Sequence, residues 1–316
     1  MMDYTHYKQI EQEADGFYYQ KRYDEVLRLM GYAGARFPEQ LFYSTWYKVH
    51  IYALTGEHDK CIATLQDLIQ RGWGCPLHDD IFDPLRADSR FQALGEENDR
   101  LHAQAVASAK MEYAVHLPMD YTPGRLYPLF IVLHADGLEG NIEYQRWHWE
   151  PDVMTSRDLI AVYVQSSQVA FPGHFRWLGN YQIAKRDILA CYDQVVEQYA
   201  IDPTNIFMGG YSGGAIMSLE IAMADVLPVK GIVGLCPEER PESFTRENVE
   251  RATRQGMKGV FMEGEIKMPV AEEQAMLDVF QAVGFPYQFY VNRGIGHVFP
   301  RDFREKLGQA IAFVMS

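Results

Sequence analysis

The segment Gly209-Gly210-Tyr211-Ser212-Gly213-Gly214-Ala215 holds the residue types and spacing most directly suited to chemistry. It follows an apolar run of strand length, Ile206-Phe207-Met208, and leads into a helical pattern from Ala215 to Ala224. A serine framed as G-x-S-x-G between a strand and a helix sits on a tight turn. Gly210 and Gly214 leave room for that turn, which lifts the Ser212 hydroxyl above the strand end in a strained backbone conformation. The helix beginning at Gly213 then aims free N–H groups and the positive end of its dipole at any anion forming beside Ser212. This is the equipment for acyl transfer to an activated serine.

Such a serine needs a base. Of the ten histidines only His297 lies downstream of Ser212, in Asn292-Arg293-Gly294-Ile295-Gly296-His297-Val298-Phe299-Pro300, a glycine-rich loop after the strand-like Tyr287 to Val291. A loop at a strand end can deliver an imidazole to the serine hydroxyl, and in sheets of this type the order along the chain is serine, acid, histidine.

Positioning these groups is the task of the segment from Met111 onward. Leu129 to Leu133, Leu159 to Val164, Ile206 to Met208, Gly231 to Leu235 and Gly259 to Met262 are apolar runs without alternation, as expected of strands buried on both faces. Helical patterns such as Ala184 to Tyr199 lie between them. The fold class is therefore α/β, a doubly wound and mostly parallel sheet, whose sites lie at the carboxyl ends of the strands. Residues 111–316 form the predicted catalytic domain.

Residues 1–110 form a predicted all-α domain of helical hairpins, since their apolar residues recur at helical spacing. Tyr23-Asp24-Glu25-Val26-Leu27 is echoed by His58-Asp59-Lys60-Cys61-Ile62, an offset of 35 residues, close to the ~34-residue period of tetratricopeptide hairpins. The segment resembles a short tetratricopeptide-like array. That resemblance allows two roles, a helical add-on packed on the main domain or a surface that binds a protein partner. No Pro/Gly-rich linker follows it, so it is expected to lean on the catalytic domain.

Composition excludes several other classes. A net charge of −14, acidic on both sides of Lys110, argues against nucleic-acid binding, which needs a basic face. No apolar run approaches the ~20 residues of a membrane span, and Met1 to His6 lack the start of a secretory signal, so a cytoplasmic protein is expected. Cys61, Cys75, Cys191 and Cys236 are scattered without a C-x-x-C pair, which signals neither a disulfide framework nor a metal site. No phosphate loop or dinucleotide fingerprint occurs, and no cofactor is expected.

Residues 111–316 resemble the α/β-hydrolase superfamily, in its carboxylesterase- and phospholipase-like serine esterase group. Asp202-Pro203-Thr204-Asn205-Ile206-Phe207 before the serine turn, Gly284-Phe285-Pro286 before the last strand and the Gly-x-Gly-His loop carry that resemblance. It implies an oxyanion loop at Leu133-His134-Ala135-Asp136-Gly137, with Ala135 where the family usually has glycine. The backbone N–H groups of Asp136 and Gly213 would form the hole, with the Asp136 carboxylate turned away and His134 holding the loop. The family's usual acid position is occupied by Lys267, which cannot orient an imidazolium. Glu265 is the first choice for the acid, Glu263 the second and Glu238, one strand earlier, the third; a serine–histidine dyad stays open. Trp147, Trp149 and Trp177 lie on loops expected beside the site and could line a substrate pocket.

Two functions follow from these residues. One is a serine hydrolase cleaving a carboxylic ester or related acyl bond of a small molecule through an acyl-enzyme. The other is a catalytically weak hydrolase-fold binding protein that recruits a partner through its helical domain.

Overall fold

A computed structural model describes residues 4–266 and 270–316, so Lys267 lies outside the described residues. The chain divides into two compact units, Met1–Ala109 with Val169–Gly173, and Lys110–Gln168 with His174–Ser316.

The first unit is built of helices α1 (Tyr7–Tyr19), α2 (Tyr23–Arg36), α3 (Leu41–Leu54), α4 (His58–Gln70) and α5 (Ser89–Ser108), each packed on the next. Apolar residues three and four apart give each hairpin its buried stripe: Val26, Leu29, Met30 and Ala33 on α2, and Cys61, Ile62, Leu65, Leu68 and Ile69 on α4. Starts at Tyr23 and His58 make the sequence echo a repeat of second helices. Asn98 of α5 ties down the segment after α4, accepting from the Cys75 N–H at 2.8 Å and donating to its carbonyl at 3.0 Å. Pro172 packs against Gly74, where any Cβ would overlap the proline ring.

The second unit is a seven-stranded sheet among the described residues. Its strands are β1 (Glu112–His116), β2 (Tyr127–Leu133), β3 (Ile160–Gln165), β4 (Ile201–Tyr211), β5 (Val229–Leu235), β6 (Lys258–Gly264) and β7 (Tyr287–Asn292), in the spatial order β1-β3-β2-β4-β5-β6-β7. Only β1 runs antiparallel, against β3; the other pairs are parallel. Helices α6 (Ile142–His148), α7 (Pro151–Thr155), α8 (Tyr181–Gln198), α9 (Gly213–Met223), α10 (Arg246–Arg254), α11 (Val270–Val283) and α12 (Phe303–Met315) flank it. The continuous apolar runs are the central strands: Leu129 to Leu133 and Ile160 to Val164 are at most 1% exposed, because helices cover both faces. Every residue of α9 is buried as well, so the helix behind Ser212 is fixed on all sides.

All four cysteines are free and buried. Burial pushes the Cys61, Cys75 and Cys191 thiols up to about 12 and raises Cys236 well above the ordinary thiol value. No described helix is long and apolar enough to cross a membrane.

Candidate active site

Ser212 stands between β4 and α9 with φ 53° and ψ −122°, a conformation that costs an L-residue of order 1–3 kcal/mol and persists only where its surroundings enforce it. The enforcement is visible in the neighbours. The Ser212 N–H donates to the Leu235 carbonyl at 2.8 Å, which fixes the turn to the end of β5. A Cβ at Gly210 would come within 2.6 Å of the Leu133 carbonyl, and one at Gly214 would overlap the Leu133 and His134 carbonyls. Two backbones therefore pass so closely here that glycine is required.

His297 reaches the same turn. The Tyr211 hydroxyl donates to the His297 carbonyl at 2.7 Å, and the two rings lie 5.0 Å apart. Phe299 packs on the other side, 4.5 Å from the Tyr211 ring and stacked at 3.9 Å on His148 of α6. The glycine-rich loop after β7 is thus clamped to the residue that precedes the serine. This bond is not legible in the sequence, because nothing in G-x-S-x-G marks the x as a hydroxyl donor.

The carboxylate at the His297 ring is Glu238, whose Oε1 lies 2.8 Å from Nδ1. Both partners carry charge only when the imidazole is protonated. Glu238 follows β5 on a loop with positive φ at Cys236 (51°) and at Glu238 itself (27°), which bends the chain back toward His297. The expected preference for Glu265 is corrected by this geometry. Glu265 spends its carboxylate on the Gly294 N–H at 2.9 Å, holding the start of the histidine loop and not the imidazole. Glu263 is 2% exposed and buried beside the Cys236 thiol.

In the loop after β2, the Asp136 carboxylate accepts the N–H groups of Trp177 at 2.7 Å and Leu178 at 3.1 Å. Burial raises its pKa above the ordinary carboxylate value, and those two amides and Arg176 offset part of that rise. The same carboxylate lies against Gly213, where a Cβ would overlap it. Among the described residues, neither the Asp136 nor the Gly213 N–H is engaged in a turn or cap hydrogen bond. His134 holds the loop. Its Nε2 accepts the Ser166 N–H at 3.1 Å, so the proton is on Nδ1, which donates to the Ala135 carbonyl at 2.6 Å. Burial depresses its pKa to about 4, so it stays neutral.

The tryptophans part company. Trp149 and Trp177 are fully buried, and the pocket-lining expectation is corrected for both. Trp149 packs beneath Gly209, and its carbonyl accepts the Tyr163 hydroxyl. Trp177 stacks on His134 at 4.8 Å and donates its indole N–H to the His134 carbonyl at 3.0 Å. Both are apolar props, under the loop after β2 and under β4. Trp147 alone is partly exposed. No cluster of metal-ligating side chains occurs among the described residues.

The mostly parallel sheet with flanking helices is consistent with the α/β-hydrolase fold. No protein-family model and no curated protein matches the chain. Solved structures do. An uncharacterized protein from Bacillus cereus ATCC 10987 is 20% identical over 98% of this chain and 99% of its own, with a TM-score of 0.55. The esterase PE8 is 16% identical over 65% of this chain and 99% of its own, with a TM-score of 0.51. An S-formylglutathione hydrolase from Staphylococcus aureus is 14% identical over 66% of this chain and all of its own, with a TM-score of 0.47. For the first two, at such identities, the likeness is one of fold.

Proposed function

We propose that the protein is a serine hydrolase of carboxylic esters or related acyl bonds, with Ser212 as nucleophile, His297 as base and Glu238 as the acid that orients it. The observation that carries this reading is the positive φ of Ser212 at the junction of β4 and α9, the backbone strain expected of a serine nucleophile on a strand-to-helix turn. In the reaction, the Ser212 oxygen attacks the substrate carbonyl while its proton passes to His297 Nε2. Glu238 stabilises the resulting imidazolium from the Nδ1 side. The Asp136 and Gly213 N–H groups hold the oxyanion. Collapse of the intermediate expels the alcohol, which takes the proton from His297 and leaves an acyl-serine. Water, deprotonated by the same imidazole, then releases the carboxylic acid and restores the serine.

The helical unit supports a tetratricopeptide-like reading through its consecutive hairpins and the 35-residue echo. A partner-recruiting role rests on that analogy. The test of the hydrolase reading is labelling with a fluorophosphonate probe followed by mass spectrometry. Adduct confined to Ser212 is the expected result, and absence of any adduct would replace the enzyme with a binding protein.

A further inference from the structure

The acid loop is held at its far end by a charge that catalysis does not use. Glu220 lies on α9, two turns after Ser212, or about 12 Å along the helix axis, and its side chain has no exposed surface. Its carboxylate accepts the Ser243 N–H at 2.8 Å and the Ser243 hydroxyl at 2.7 Å, and it pairs with Lys185 Nζ of α8 at 2.6 Å. Burial alone would push this carboxyl up, but Lys185 and the two Ser243 donors outweigh it and hold it below the usual range. The ion is therefore fully compensated, as a buried charge must be. Ser243 is fixed in turn from the other side, where the Asn248 amide donates to its carbonyl at 2.8 Å.

The loop from Pro237 to Ser243 thus has two anchors. At its start, the Cys236 N–H donates to the Met262 carbonyl at 2.8 Å; at its end stands Glu220. Between them Glu238 to Arg240 are exposed and Pro241 is buried, with Arg240 paired to Glu272 at 3.0 Å across water-accessible side chains. Such a surface pair contributes about 1 kcal/mol or less, too little to fix the loop. We propose that Glu220 is a positioning residue: through Ser243 it ties the Glu238 loop to the helix that begins at Ser212, so that acid and nucleophile keep a common frame. This inference rests on the hydrolase reading and adds to it a residue that touches no reacting atom.

The test uses the full chain, a fluorophosphonate probe for the rate of Ser212 labelling and p-nitrophenyl acetate for turnover. Glu220→Gln should lower kcat and the labelling rate by about 10²-fold, the scale of a 1 Å misplacement, with KM within about twofold. Added to Glu238→Gln it should cost nothing more, because Glu220 acts only through Glu238. Ser243→Ala should show a smaller loss of the same kind, and Ser243→Thr, which keeps the hydroxyl, should restore the rate; these variants carry the test if Glu220→Gln does not fold. Wild-type rates in Glu220→Gln and Ser243→Ala would overturn the proposal, as would losses that multiply with Glu238→Gln. A wild-type chain with no adduct at Ser212 would instead remove the hydrolase reading beneath it.

Discussion

The hydroxyl of Tyr211 and the carbonyl of His297 are joined by a 2.7 Å hydrogen bond between residues 86 positions apart. The bond docks the histidine loop onto the residue before Ser212. Tyr211→Phe keeps the ring packing against His297 and Phe299 and deletes only the donor. Turnover should fall roughly five- to tenfold, the equivalent of about 1 kcal/mol for one hydrogen bond, with Tm within a few degrees of wild type. An unchanged kcat would show that packing alone positions the loop.

The acid assignment makes an asymmetric prediction. Glu238→Gln should lower kcat by orders of magnitude, up to about 10⁴ where a triad acid fixes the tautomer. Glu265→Gln removes one acceptor from Gly294 and should cost less than about tenfold. The measurement is steady-state turnover of an acyl ester by both variants. Equal losses would return Glu265 to the triad.

How far the sequence could be read follows from which residues act locally. Ser212 and its glycines are legible because the turn is made by neighbours in the chain, and the buried strands show as unbroken apolar runs. Glu238 was only a third choice since its approach to His297 depends on positive φ at Cys236 and at Glu238, conformations that neither side chain announces. Trp149 and Trp177 misled in a related way. Loop tryptophans look like pocket walls until the fold shows them sealed beneath Gly209 and against His134. The Glu220–Ser243 tie was invisible, because it joins a helix interior to a loop 23 residues away.

Stability should depend on pH through two buried imidazoles. Burial depresses the pKa of His134 and of His174 to about 4, against about 6.5 in an unfolded chain. Between these values the unfolded chain binds protons that the native one refuses. Their contribution is therefore complete above pH 6.5 and is lost as pH falls toward 4, at most about 3 kcal/mol for each. Urea-unfolding midpoints at pH 7, 5.5 and 4.5 should decline, and His174→Gln should decline less steeply. Identical slopes for the two proteins would contradict the assignment.

Gly214→Ala and Gly234→Ala separate backbone crowding from ordinary packing. At Gly214 the new methyl meets the fixed carbonyls of Leu133 and His134, and at Gly234 it meets the edge of the Phe261 ring at 3.2 Å and the Ala215 methyl at 3.5 Å, both side chains. The first should destabilise by about 3 kcal/mol or more, in the range of severe overpacking, and abolish activity. The second should fold and retain turnover. Thermal melts of both variants decide the matter.

The four sealed thiols have a practical corollary for biophysics. With all four cysteine sulfurs buried and their thiolates suppressed, the folded chain offers maleimides and spin labels almost nothing to react with. A single cysteine introduced at an exposed position of the acid loop, Glu239 for example, would be the one reactive handle. Fluorescence or paramagnetic relaxation from that handle could then follow the loop through a catalytic cycle without first stripping the wild-type cysteines.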